Sequence, residues 1–463
     1  MSENTRKNTS RREFLKNTGR IAAASAVMAG VVPRIYAAES NTIKVALVGC
    51  GGRGAGAASN ALSVKKGPIK LVAMGDVFEN RLARAYEALK EEHANQVDVP
   101  EDRRFIGFDA YKKAMDCLNA GDVVIFGTPP AFRWVHFTYA VAKGLNVFME
   151  KPVTVDGPST RKFLKLAEES VKKNLKVGVG LMSRHSRAFQ ELAQRIQDGE
   201  IGDLILLRGY RMHGPAGFFS SPPKPPGISE LLYQVQRFHS FLWASGGNYS
   251  DFYIHHIDHL CWMKGAWPVK AQALGGRHYR QSPQGITYVD QNFDVYAAEY
   301  TFADGSKFNF DGRCMAGCTD IYSSYAHGSK GMAIVASSGD CGLPSSTYKG
   351  QTPNRSNLLW ESKISPDQQD PYQNEWNDLV DAIRSDKPYN EAKRGAEASL
   401  VTSMGRMAAH TGQEITYESI LNCKHEFAPD LDKLTMDSPA PLRAGPDGKY
   451  PVPKPGITTQ QEY

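Results

Sequence analysis

From residue 42 to about residue 184, short apolar runs alternate with longer segments whose apolar residues recur at helical spacing. Runs 43–48, 69–76, 122–126, 145–150 and 176–180 are strand-sized, whereas 79–92, 135–143 and 157–172 read as helices. Such alternation predicts a doubly wound parallel sheet. The second half differs. Runs 203–211, 268–274, 295–302 and 307–313 lie closer together, and Asp304-Gly305 joins two of them as a hairpin turn. They predict a mainly antiparallel sheet with helices on one face; further on, helices are expected at 374–384 and 395–410. The stretch 212–236 holds five prolines and the pair Phe218-Phe219, and reads as an insertion near a cleft or at a subunit contact. From residue 429 onward there are seven prolines and no period, which predicts a tail wrapping the surface or a neighbouring subunit.

The first apolar run ends in Gly49-Cys50-Gly51-Gly52-Arg53-Gly54, a G-x-G-x-x-G turn ahead of a small-residue segment. Gly49 would make the tight turn, Gly51 would let backbone approach a pyrophosphate, and Gly54 would let helix and strand pack closely. The pyrophosphate would sit at the positive end of that helix, beside Gly52 and Arg53. The next strand ends in Asp76, 22 residues after Gly54 (76 − 54), where a carboxylate meets a ribose 2′-hydroxyl. An ordinary βαβ turn without ligand is the alternative. Thr128-Pro129 and Glu150-Lys151 fall at other strand ends on the edge where ligands bind. NAD is the expected cofactor, because a carboxylate at Asp76 repels a 2′-phosphate; Arg81 keeps NADP open.

Ahead of this unit, Ser10-Arg11-Arg12-Glu13-Phe14-Leu15-Lys16 is a twin-arginine segment, followed by a mildly apolar run and Ala37-Ala38. The run is too short to span a bilayer, so 1–38 reads as a cleaved export signal and the protein as periplasmic or otherwise exported. An uncleaved amphipathic helix is the alternative. This segment carries seven Lys/Arg and two Asp/Glu, a net +5 of the chain's +6, leaving the remainder near +1 (6 − 5). So balanced a charge gives no footprint for nucleic acid, and stable membrane insertion after cleavage is not expected. About 425 residues remain (463 − 38), enough for two substantial domains. The seven cysteines form no C-x-x-C pair and read as packing or spare thiols, with Cys314–Cys318 the one conceivable bridge.

Titratable groups concentrate at 245–259. Asp251, His255 and Asp258 are spaced i, i+4, i+7 and share a helix face. Imidazole beside carboxylate suits proton transfer at a hydroxyl, because its pKa lies near working pH and the acid tunes it. His255 and His259 could instead bind a metal, but the glutamate of H-E-x-x-H and a distal ligand are missing, so no metal is assigned. A capping role for the cluster is the third reading.

These residues resemble the Gfo/Idh/MocA oxidoreductases, named for glucose–fructose oxidoreductase, inositol dehydrogenase and a rhizopine-catabolism protein. The likeness runs over the glycine turn, 122–129, Glu150-Lys151-Pro152, 246–258 and 395–412. It implies an α/β protein, with an N-terminal Rossmann doubly wound parallel sheet and a C-terminal α+β domain built on a large, mainly antiparallel open sheet. The domains are then 1–38 signal, 39–184 nucleotide-binding, 185–428 substrate and oligomerisation, and 429–463 tail. By resemblance Lys151, Asp251 and His255 are the catalytic set, Asp258 follows the histidine, and a homo-oligomer (dimer or tetramer) is expected. Phe132-Arg133, Ser183-Arg184-His185 and the proline-rich tail are similar to a secreted subgroup of planctomycetes and related bacteria. The chain departs from the family at Arg133, at Tyr253 (commonly glycine, here an aromatic wall near the substrate) and at Ser186, where the family's NAD-dependent glycosidases have tyrosine.

The implied reaction is hydride transfer at a CH–OH carbon of a sugar or cyclitol. His255 would exchange the proton, Asp251 would fix the imidazole and Lys151 would stabilise the alkoxide. Arg184, His185, Arg237 and Trp243 are further substrate candidates. Export implies a tightly held, internally recycled cofactor, because free nucleotide should be scarce outside the cytoplasm. An NAD-dependent glycosidase or lyase is the alternative reading, and a non-catalytic sugar-binding protein a third.

Overall fold

A computed structural model describes residues 41–278, 281–282 and 284–463; the twin-arginine segment lies outside them. The N-terminal sheet has six parallel strands, β1 (Ile43–Val48), β2 (Ile69–Asp76), β3 (Arg104–Ile106), β4 (Val123–Phe126), β5 (Asn146–Met149) and β6 (Val177–Val179). Their order, β3-β2-β1-β4-β5-β6, is the doubly wound one with a switch point between β1 and β4. Both faces are covered, so the central strands are apolar along their buried length, with Lys44 alone exposed on β1: Val45, Ala46, Leu47, Val123, Val124 and Ile125 are all buried. β3 falls in a charged loop that carries no apolar run, and pairs only Met74 to Asp76.

The second sheet has nine strands: β7 (Leu204–His213), β8 (Lys270–Gly276), β9 (Val295–Thr301), β10 (Lys307–Cys314), β11 (Ile321–Gly328), β12 (Gly331–Ala336), β13 (Ser346–Lys349), β14 (Leu358–Glu361) and β15 (Ile415–Thr416). Their order is β14-β13-β12-β11-β7-β10-β9-β8-β15, antiparallel except where β10 runs parallel to β7. The Asp304-Gly305 hairpin forms as expected, with Gly305 at φ 85°. Helices Gly247–Lys264 and Ala392–Thr411 cover one face of this sheet. Glycines allow the close fit: a Cβ on Gly312 would stand 2.4 Å from the ring of Tyr253, and one on Gly405 would stand 2.0 Å from the Tyr300 hydroxyl. The seven cysteines are free thiols, Cys314 buried and Cys318 exposed.

Helix Pro371–Arg384 returns to the first sheet, where Trp376 packs on Phe148 with ring centroids 4.6 Å apart. The 429–463 segment folds back on its own chain, burying Leu431, Leu442 and Tyr450. Among the described residues no helix is long and apolar enough to cross a membrane.

Candidate active site

The glycine turn meets the switch point at one end of a cavity of about 620 Å³. Gly49, Gly51, Gly52, Arg53, Asp76, Thr128 and Pro129 line it, and Phe218, Phe238 and His239 close its far side. The glycines divide by role. A Cβ on Gly54 would stand 2.0 Å from the Gly49 carbonyl oxygen, so the chain itself demands glycine there. A Cβ on Gly51 or Gly52 would meet nothing within 4 Å. Nothing in the chain fills that cradle, and it suits a pyrophosphate approaching backbone N–H groups. Gly54→Ala is therefore expected to cost ~2 kcal/mol of stability. Gly51→Ala should leave stability within about 0.5 kcal/mol but weaken nucleotide binding. Thermal melts and nucleotide titration separate the two, and equal melting losses would contradict the division.

Asp76 sits at the end of β2, where its Oδ2 accepts the Cys50 N–H at 2.6 Å and its Oδ1 the Phe78 N–H at 2.9 Å. Burial pushes its carboxyl up, and those N–H groups with Arg81 oppose this. Arg81 donates to the Gln236 carbonyl at 3.1 Å and lies over the Phe78 ring. Arg53 bridges to Glu150 at 2.7 Å and stacks on Tyr372, tying the glycine helix to the end of β5. Buried Arg133 donates to the Glu150 carbonyl at 3.0 Å and to the Thr128 hydroxyl at 2.7 Å. It thus braces two strand ends from beneath.

Lys151 and Asp251 come together across the two domains. The Lys151 Nζ donates to the Asp251 carbonyl at 2.5 Å and stands 3.9 Å from its carboxylate. The other carboxylate partner is His239, whose Nε2 is 3.2 Å away. The His239 Nδ1 accepts the Phe218 N–H at 3.1 Å, so Nε2 carries the ring proton and donates to Asp251. Burial would raise the Asp251 carboxyl, but Lys151 and His239 outweigh it and hold it at about 2.

His255, one turn on, differs from expectation. Asp251 does not fix its ring, because that carboxylate is held by Lys151 and His239. The acid beside His255 is Asp340, on the loop between β12 and β13. Burial lowers the imidazole to about 3; Asp340 opposes, while Lys151 and Arg211 add to the fall. His255 is therefore neutral near pH 7 rather than poised there. Its Nδ1 is buried with no hydrogen-bond partner among the described residues. Asp340 lies 3.4 Å from Arg211 and 3.6 Å from His256. Burial opposes its ionisation, but His255 and Arg211 outweigh that and keep its carboxyl below the usual range.

Several expected contacts lie elsewhere. Arg184 forms a two-pronged bridge to buried Asp258, both bonds 2.8 Å, and with His185 lines a separate polar cavity. Seven residues along a helix is two turns, about 10 Å, which carries Asp258 beyond the reach of Lys151. His185 is held between Asp378 at 2.7 Å and Glu391 at 3.1 Å. Trp243 is buried, with its indole N–H on Gln234 at 2.6 Å, so it offers no face to a sugar. Tyr253 is also fully buried, its ring over Gly312 and its hydroxyl 3.6 Å from the Cys314 Sγ; it belongs to the helix face turned to the sheet. Arg237 braces the 212–236 stretch through Ser220 and Ser221 and stacks on Phe218. That stretch reaches the cleft through Phe218. His259 hydrogen-bonds Ser324 at 2.9 Å, and no group of three or more His, Cys, Asp or Glu among the described residues is placed to hold a metal.

Sequence reasoning missed His239, Arg211 and Asp340. His239 is two residues from Arg237 and had no periodic signal to single it out, and Asp340 sits in a plain Ser-Ser-Gly-Asp turn. Arg211 closed a predicted strand run, where an arginine reads as solvent-facing.

Residues 43–195 match the GFO_IDH_MocA family, described as an oxidoreductase family with an NAD-binding Rossmann fold. The chain is 27% identical over 249 residues to an inositol 2-dehydrogenase of Arthrobacter sp. (strain FB24), covering 53% of this chain and 61% of that one. It is 26% identical over 264 residues to a scyllo-inositol 2-dehydrogenase (NAD(+)) of Bacillus subtilis (strain 168), covering 55% and 65%. The match thus spans about three-fifths of the length of these relatives. A scyllo-inositol dehydrogenase of Lactobacillus casei, solved with bound NAD(H) and scyllo-inositol, shares the fold with TM-score 0.59 and 22% identity over 82% of this chain and 100% of that one.

Proposed function

We propose, from the match of residues 43–195 to the Gfo/Idh/MocA oxidoreductase family, that the protein is an NAD-dependent oxidoreductase acting on a CH–OH group of a cyclitol or related sugar. The observation that carries this reading is Lys151 set against Asp251, one turn from His255, with His239, the other partner of Asp251, lining the cavity of the glycine turn. The inositol dehydrogenases among its relatives favour a cyclitol over an open-chain sugar. NAD is favoured over NADP because the carboxylate of Asp76 is fixed at the end of β2 by two backbone N–H groups, while Arg81 is engaged by Gln236. When bound, the nicotinamide supplies hydride acceptance and return.

The chain's residues supply the rest. The Lys151 ammonium, held between the Asp251 carbonyl and carboxylate, can donate a hydrogen bond to a substrate hydroxyl and stabilise the oxygen as it loses its proton. Neutral His255 can accept that proton, and the resulting imidazolium would lie beside ionised Asp340. Asp251 orients Lys151, and His239 keeps Asp251 in place.

The twin-arginine segment further supports export of the folded protein with its nucleotide held and recycled in place. Purified protein loaded with NAD is expected to oxidise a cyclitol with a rise in reduced-nicotinamide absorbance stoichiometric with its bound nucleotide and, once stripped, to rebind NAD at least about tenfold better than NADP. Release of aglycone from a glycoside with no net absorbance change would favour the NAD-dependent glycosidase. No bound nucleotide and no product would defeat both.

A further inference from the structure

The groups that face substrate sit on two segments far apart in sequence, and a third segment clamps them together. Arg406, on helix Ala392–Thr411, is completely buried. Its Nη2 donates to the Val155 carbonyl at 2.8 Å, four residues beyond Lys151 (155 − 151). Its Nη1 donates to the Gly246 carbonyl at 3.2 Å and to the Ser250 hydroxyl at 2.7 Å, at the start of the helix bearing Asp251 and His255. The remaining two N–H groups, one each on Nε and Nη2, grip the carboxylate of Glu462 at 2.9 Å each. All five guanidinium donors are thereby used. Glu462 is itself buried and is held from the other side by the His410 Nδ1 at 2.7 Å, while the His410 Nε2 meets the Tyr296 hydroxyl at 2.8 Å. The flanking Tyr463 packs on His425 and Phe427, and the Phe427 N–H bonds to Asp156.

We propose that Glu462, brought in by the 429–463 segment, is a positioning residue that acts through Arg406 to hold the Lys151 strand end against the Asp251 helix. A guanidinium buried this deeply needs a counter-charge, and Glu462 is the carboxylate bonded to it. Without that charge Arg406 is drawn toward water or toward Asp156, and it releases Val155, Gly246 and Ser250. The spacing of Lys151 from Asp251 then relaxes even though neither residue has been changed. The catalytic consequence rests on the dehydrogenase reading; the structural one does not.

The test uses the full chain. In Glu462→Gln, amide hydrogen exchange over residues 151–155 and 246–255 is expected to quicken about tenfold or more, with residues 49–62 unchanged. Cyclitol oxidation should lose about 10- to 100-fold in kcat, with KM and nucleotide affinity within about twofold. Glu462→Asp should recover most of that loss. Unchanged exchange over the two segments, or a kcat that falls only with the folded fraction, overturns the proposal. If Glu462→Gln does not fold, Arg406→Lys retains the charge pair but lacks the donor fork for Val155, Gly246 and Ser250, and the same readings decide. A wild-type chain that oxidises no cyclitol defeats the dehydrogenase reading alone, because exchange is measured without turnover.

Discussion

Replacing Lys151 by alanine is expected to lower kcat by about 10²- to 10³-fold, the usual cost of losing one preorganised donor at a developing oxyanion. Nucleotide affinity should stay nearly constant, because the glycine cradle and Asp76 lie on other strand ends and Lys151 does not line their cavity. The variant also removes the cation beside Asp251, leaving that carboxylate with His239. Lys151→Arg should rescue poorly, since a planar fork cannot occupy the point between the Asp251 carbonyl and carboxylate that an ammonium fills. Steady-state kinetics with nucleotide titration on the same preparation checks this. Loss of nucleotide binding in parallel with turnover would make Lys151 a cofactor contact, and full activity would remove it from the site.

Acid should unfold the protein early. Burial holds His136, His255, His256 and His259 at about 3, far below an unfolded imidazole near 6.5. Between those values the unfolded chain binds more protons than the folded one, so stability falls as pH falls. Each such imidazole can withdraw up to ~2 kcal/mol between about pH 6.5 and pH 5. His185 acts in the opposite sense: Glu391 and Asp378 outweigh its burial and raise it, which adds stability below its unfolded pKa. A second loss follows at lower pH. Asp251, Glu391 and Glu462 are held at about 2, against burial, by Lys151, Arg394 and Arg406 respectively, with neighbouring histidines assisting. Their contribution is complete above the unfolded carboxylate range and disappears as pH drops through about 2. Melting temperature should therefore be level above about pH 7, decline below about 6.5 and drop more steeply below about 4.5. A melting temperature constant from pH 7.5 to 5 would mean that these imidazoles accept protons inside the fold.

The glycine turn, Asp76 and the alternation of strand and helix were legible in the chain because each depends on neighbours within a few residues. Backbone that must turn sharply at Gly49, or a helix that must lie against Gly49 from Gly54, requires glycine locally. A strand covered on both faces must be apolar along its buried length, as β4 is throughout and β1, β2 and β5 are away from Lys44, Lys70, Asp76 and Asn146 near their ends. Lys151, Asp251 and His255 could likewise be singled out by motif and helical spacing. Their partners could not. His239 reaches Asp251 from another element, Asp340 reaches His255 from a loop 85 residues away (340 − 255), and Arg406 meets Glu462 across 56. Such pairs are selected by burial, which makes an unpaired charge expensive only after distant segments have packed. The same effect misdirected the substrate candidates: Trp243 and Tyr253 have aromatic faces that suit a sugar, and Arg184 a charge that suits a hydroxyl, but packing had already engaged all three. Local sequence determined the glycine turn and singled out the groups proposed to react. Tertiary structure decided which acid faces which base, because only the folded chain brings those charges out of water together.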